Sequence, residues 1–125
     1  MESRYILLRY MEAASFDEAA WKKGTAELLV LAQLDVGPSH GYEIAVQIGR
    51  RSGGSLSFNA ASLYPVLYRL ERRGLIRGQW VEKAGQRRRR FYRLTGEGRK
   101  VLAAQRKSWQ SFVDAVQQAG GLDYA

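Results

Sequence analysis

The sequence predicts a mainly α fold with a small β-hairpin, and two patterns carry that expectation. Apolar residues recur at helical spacing over most of the chain. Between residues 76 and 94 the period drops to two, as in paired strands. A third observation bears on function. The 125-residue chain has a net charge of +8, and the charge is concentrated: residues 69–100 hold 12 basic and 3 acidic residues, whereas residues 1–58 hold 6 and 7. A surface that only had to be soluble would intersperse its signs. An excess confined to one segment fits a polyanionic partner, either nucleic acid or an anionic membrane.

Residues 1–20 read as an N-terminal extension. Tyr5, Ile6, Leu7, Leu8, Tyr10 and Met11 are apolar without a clean stripe. A helical extension of a dimer interface is favoured over a disordered tail. Ser15 and Glu18 have capping-box spacing, which starts a first helix running to about Leu34. Gly24 inside it costs roughly 1 kcal/mol relative to alanine. Ala26, Leu28, Leu29, Val30, Leu31 and Leu34 cover most of its circumference, so this helix should be central. Gly37-Pro38 ends it. Ser39 and His40 offer the start of a second helix, with Glu43 near the positive end of its dipole. Ile44 and Ile48 share one face, and the helix stops by Gly53-Gly54. Ser55–Phe58 is a short extended stretch. Asn59 is a good N-cap for a third helix. That helix buries Leu63, Leu67 and Leu70, each stabilising by about 1.5–3 kcal/mol. Gly74 stops it.

Ile76–Val81 and Arg89–Leu94 alternate as strands, with Lys83-Ala84-Gly85-Gln86 as the turn. Trp80 and Tyr92 are the expected anchors of this hairpin. Thr95-Gly96-Glu97-Gly98 breaks the pattern and opens a last helix, about Arg99–Gln118. There Leu102, Trp109 and Val116 recur every seven residues, flanked by Phe112 and Val113, a seam suited to another helix. Three helices, a basic hairpin and a final helix have the layout of a winged helix-turn-helix plus a C-terminal dimerisation helix. The expected units are an extension at 1–20, a winged helix-turn-helix domain at 21–96, a dimerisation helix at 97–120 and a tail at 121–125.

In such a fold the third helix enters the major groove of DNA by its N-terminal part. Its front reads accordingly. Asn59, Ala61 and Ser62 are small, so the backbone can come close to DNA, and free N–H groups at a helix start attract phosphate. Tyr64 and Tyr68 can donate O–H bonds. Pro65 is apolar and costs least if the first turn is loose or the regular helix begins at Tyr64. Arg69 follows on the exposed side. The leucine stripe taken alone is usually plain core. The wing adds weight, because Arg87–Arg90 are four consecutive arginines beside a tight turn. Alternation sends Arg88 and Arg90 to one face and Arg87 and Arg89 to the other. Arginine suits phosphates and the minor groove.

These stretches resemble the PadR-like family of bacterial transcriptional regulators. The resemblance is carried by GTAELLVLAQL (Gly24–Leu34), GPSHGYEI (Gly37–Ile44), SLYPVLYRLERRGLI (Ser62–Ile76) and RRRRFYRLTGEGRKVL (Arg87–Leu102). It spans roughly Lys22 to Val116. The single short final helix looks like the smaller subgroup of that family. The resemblance implies a homodimeric repressor of a palindromic duplex operator, located in the bacterial cytoplasm at the nucleoid. It places Tyr42, Ser62, Tyr64 and Pro65 near the DNA backbone and groove, and Arg88 and Arg89 at the wing-tip contact. It also implies that the last helix pairs across the dimer axis. Trp109 matches a tryptophan that lines a pocket for aromatic compounds in some members, so a small hydrophobic effector is one reading. A seam tryptophan packing a dimer is the other.

Other functions fit the sequence poorly. The chain has no cysteine and one histidine, which leaves no ordinary transition-metal cluster. The acidic residues Glu82, Glu97 and Asp114 form no visible pair for acid–base work. No enzyme and no cofactor are expected. No apolar run approaches the ~18 residues needed to span a bilayer, and Tyr5–Leu8 is too short for a signal-peptide core. No membrane partner is therefore expected. A basic winged helix that binds RNA or docks a protein, without regulating a gene, is the alternative of a different class.

Overall fold

The computed structural model describes residues 18–82, 84–85 and 87–122, with side chains from Thr25 onward. The Ser15 cap, the expected extension and most of the tail lie outside the described residues. Helix α1 (Glu18–Val36) passes through Gly24 and continues two residues beyond the expected end at Leu34. It is apolar on most sides because nearly everything packs on it. Helices α2 (Gly41–Arg51), α3 (Ala60–Arg72) and α4 (Gly96–Ala119) all touch it, as does strand β3 (Arg89–Leu94). Val30 and Leu31 are fully buried, together with Ile44 and Ile48 of α2 and Leu63, Leu67 and Leu70 of α3.

Ser39-His40, expected as a helix start, forms a short strand, β1, at the edge of a three-stranded antiparallel sheet. Ser39 pairs with Tyr92 and His40 with Phe91, on β3. His40 is also the N-cap of α2, so the expected helix start is displaced by one residue rather than absent. Strand β2 (Ile76–Val81) pairs with β3 from Ile76–Leu94 to Val81–Arg89, which is the expected hairpin. Tyr92 anchors it and is buried. Trp80 does not, because β2 turns that face outward and the indole is half exposed.

The last helix begins three residues earlier than expected, and Thr95 is the reason. Its side chain accepts from the Gly98 N–H at 3.0 Å, which caps α4. Its hydroxyl donates to the Gly74 carbonyl at 2.7 Å, and its own N–H donates to the Leu75 carbonyl at 3.1 Å. One residue thus ends the hairpin, starts α4 and ties both to the exit of α3. The same Leu75 carbonyl lies so close to Gly98 that a Cβ there would stand 2.0 Å from the oxygen.

Further along α4, Leu102 is 1% exposed and belongs to the domain core. It was expected on a seam open to a second chain, and that expectation is corrected. The seven-residue spacing is real, but α4 spends its first turns on α1 and the sheet. Gln105 donates to Glu27 at 3.3 Å, and Arg106 pairs with Asp35 at 3.2 Å. Beyond them Phe112, Val113 and Val116 are exposed.

Replacing Gly98 by alanine should lower stability by about 1–3 kcal/mol, the usual cost of forcing atoms into a filled site. Urea unfolding measures it. Gly96→Ala is the control, since no neighbour lies within 4 Å of a Cβ at that position.

Candidate nucleic-acid interface

The site is built on three chain segments. The first is the front of α3. Asn59 is in an extended conformation and its Oδ1 accepts from the Ser62 N–H at 2.8 Å. The helix is regular from Ala60 and simply contains Pro65. The expected loose first turn, or a start at Tyr64, is therefore not what forms. Pro65 has no N–H to offer the Ala61 carbonyl. Ala61 and Pro65 are both exposed, so that gap opens on the solvent side of the helix. Leu63, Val66, Leu67 and Leu70 face inward. Tyr64, Pro65, Tyr68 and Arg69 face outward, with Tyr68 at 62% exposure. Arg72 lies over the Tyr68 ring at 5.8 Å.

The second segment is the start of α2. His40 Nδ1 accepts from the Glu43 N–H at 3.3 Å. The His40 ring sits edge-on to Phe91, with centroids 5.5 Å apart, and stacks with Tyr42 at 6.5 Å. Tyr42 is 67% exposed. The Tyr64 ring covers Gly41, so the fronts of α2 and α3 are in contact.

The third segment is the wing. Arg88 and Arg90 lie over the Trp80 ring at 4.9 and 5.4 Å, which is the shared face that alternation required. Arg89 goes the other way and brings Nη1 to 3.2 Å from His40 Nε2. Arg90 is also ion-paired with Glu71 at the end of α3. Glu71 Oε1 accepts as well from the Gly78 N–H at 3.0 Å. A Cβ at Gly78 would stand 2.6 Å from that oxygen, so only glycine leaves room for the pair. Hydrogen bonding to Glu71 holds the Arg90 guanidinium above its usual range, against the opposing effect of burial. Burial pushes the Tyr92 phenol up, and Arg90 beside it acts the other way.

A cavity of about 480 Å³ lies between these segments, lined by His40, Tyr42, Tyr64, Trp80 and Arg87–Arg90 among others. No carboxylate lines it among the described residues. Tyr42, Tyr64, Arg88 and Arg89, all expected at the interface, thus meet at one place. Asn59, Ala61, Pro65 and Arg69 are exposed along α3 beside it. Ser62 is half-buried, with its N–H taken by Asn59. Sequence reasoning missed the Glu71–Arg90 and His40–Arg89 contacts. Glu71 left one signal: it is the only acid between Asn59 and Val81.

The other expected site is elsewhere. Trp109 and Phe112 on α4 meet edge to face at 5.7 Å and border an open hollow of about 330 Å³ with Ser108. Among the described residues there is no cluster of three His, Cys, Asp or Glu placed to hold a metal, and no helix is long and apolar enough to cross a membrane.

Comparison with known proteins agrees with this architecture. The profile of the transcriptional regulator PadR-like family matches residues 30–104. The crystal structure of a PadR family transcriptional regulator from Eggerthella lenta superposes with a TM-score of 0.75 at 29% identity, covering 93% of this chain and 99% of that one. A Lysinibacillus sphaericus protein, Uncharacterized protein X, is 29% identical over 75% of this chain and 86% of its own length. Bacillus subtilis PadR, solved in complex with operator DNA, shares the fold with a TM-score of 0.60 at 23% identity, over 65% of this chain and 46% of that one. The chain belongs to the PadR-like family of transcriptional regulators.

Glu71→Ala should loosen the wing from α3. Hydrogen exchange at the Gly78 amide should accelerate by about tenfold or more, the worth of one hydrogen bond to a charged group. Glu97→Ala, which removes an exposed pair with Lys100, should leave that amide unchanged.

Proposed function

We propose that the protein is a homodimeric, sequence-specific repressor that binds a palindromic operator in the cytoplasm. The observation that carries this reading is one continuous surface. It runs from the exposed front of α3 (Tyr64, Pro65, Tyr68, Arg69) to Arg87–Arg89 of the wing, and no acidic side chain lines the cavity between them. Its parts divide the work. The front of α3 is narrow and carries hydroxyl and apolar groups, which suits base edges. The arginines suit phosphates, which fix register without reading sequence. Tyr42 and Asn59 flank the helix front on the same side as backbone contacts.

Trp109, Phe112, Val113 and Val116 support a dimer, since they form an apolar row on the half of α4 beyond its contacts with α1. Two copies joined there would present their α3 helices to successive major grooves about 34–36 Å apart. The hollow beside Trp109 is the reading for a small hydrophobic effector. An effector relieves repression only if it prefers the non-binding arrangement of the dimer.

Fluorescence anisotropy at ~150 mM salt tests the proposal, with DNA from upstream of the protein's own gene against a shuffled duplex. A preference of about 10³ or more is expected. Equal binding to both duplexes, or a preference for RNA, rejects the regulator reading. Arg88→Ala should weaken both duplexes and reduce the salt slope by about 1; an unchanged slope removes Arg88 from the backbone contacts. Trp109→Ala should raise the dimer dissociation constant by about tenfold or more, the scale of a buried aromatic at an interface centre. Sedimentation equilibrium reads it, and a wild-type constant would take Trp109 out of the interface.

A further inference from the structure

The cap that starts α2 also decides which nitrogen of His40 carries its proton. Nδ1 accepts the Glu43 N–H at 3.3 Å, so it must present a lone pair. In the neutral ring the proton is then on Nε2. That Nε2–H faces Arg89 Nη1 at 3.2 Å. Every arginine nitrogen is a donor. Two donors therefore confront each other on the wall of the cavity, and no hydrogen bond joins them. An oxyanion set beside both would turn the confrontation into two donated bonds, one of them charge-assisted.

The surroundings leave that place to an outside group. Glu43 accepts from the Gln47 side chain at 2.7 Å, and Glu71 is taken by Arg90 and Gly78. Elsewhere the fold gives its arginines acidic partners: Arg73 has Glu27, Arg90 has Glu71 and Arg106 has Asp35. Among the described residues no carboxylate pairs with Arg89. The His40 ring is held in orientation by its cap, by the edge of Phe91 and by Tyr42. The seat is thus preformed on the α2 side, and Arg89 supplies the charge from the wing.

We propose that His40 Nε2–H and the Arg89 guanidinium form a two-pronged seat for one phosphate group, presented by the DNA backbone. This inference rests on the DNA-binding reading and deepens it. Closing on a single phosphate, the seat would join the wing to the start of α2 only when DNA is bound. His40 is then a positioning contact for the duplex and carries no base preference.

His40 is the only histidine in the chain, which makes its ring a unique NMR reporter. Long-range proton–nitrogen spectra of the full chain at mildly alkaline pH should show the Nε2–H tautomer. Inorganic phosphate should move the Nε2 resonance in the wild type and not in Arg89→Ala. For duplex binding, His40→Asn keeps a capping Oδ1 but has no group at the Nε2 position. It should weaken a non-specific duplex by about tenfold while leaving the thermal midpoint near wild type. Arg89→Ala should do at least as much. The double variant should bind within about twofold of the weaker single variant, because both groups act on one phosphate. The Nδ1–H tautomer, a silent ring in phosphate and duplex alike, or fully additive losses would overturn the seat. Additive losses with duplex binding intact would leave the DNA reading standing. A ring that answers phosphate in a protein that binds no duplex would keep the seat and overturn DNA as its source.

Discussion

The Glu71 carboxylate, on the last turn of α3, reaches across to the wing. It accepts from the Gly78 N–H of β2 and from Arg90 of β3, so one side chain holds both strands against the helix. The angle between the wing and α3 depends on it. That angle in turn fixes the cavity in which Tyr42, Tyr64 and the remaining arginines meet. The contact also sorts the four arginines. Arg90 is committed to structure, stacked on Trp80 and paired with Glu71, while Arg87–Arg89 stay exposed. Side chains on this pair are under a third exposed, so the interaction is less screened than a surface pair.

Helix α3 shows how such a surface is made without losing the fold. A proline inside a helix costs about 3 kcal/mol or more. Pro65 is tolerated because α3 is held by tertiary packing rather than by its own propensity. Leu63, Val66, Leu67 and Leu70 are all buried against α1 and α2, and each contributes about 1.5–3 kcal/mol. That surplus lets the opposite face carry residues chosen for something other than stability. Two tyrosines and a proline stand exposed there, beside few charges.

The elements that were legible in the sequence are those whose signal is local. Asn59 caps α3 because its side chain reaches a neighbour three residues on, and the leucine stripe declares its own buried face. The hairpin register follows from a period of two. Strand β1 was not legible, because two residues have no period and Ser39-His40 pairs with residues about fifty positions away. The side taken by Leu102 was hidden for a related reason. A seven-residue repeat marks one face of α4 but does not say whether α1 or a second chain covers it. Of the site, Tyr64, Arg88 and Arg89 announced themselves by type and place. His40–Arg89 and Glu71–Arg90 span 49 and 19 positions, and no spacing rule joins them.

Helix α4 changes occupation along its length, and this bears on how a regulator of this shape could be switched. Up to Arg106 it is part of the domain, held by the Gly98 approach to Leu75, by buried Leu102, and by Gln105 and Arg106 on α1. From Phe112 onward its apolar residues are exposed. An α-helix rises 1.5 Å per residue, so the apolar row stands roughly one to three turns beyond the last tether. A helix fixed at one end is a lever. In the proposed dimer, a small change of packing around Trp109 would swing each domain about its Arg106–Asp35 contact and alter the separation of the two α3 helices. Because operator half-sites are spaced by the pitch of DNA, a modest swing would cost both half-sites their shared register. The effector would need no contact with the DNA-binding surface at all.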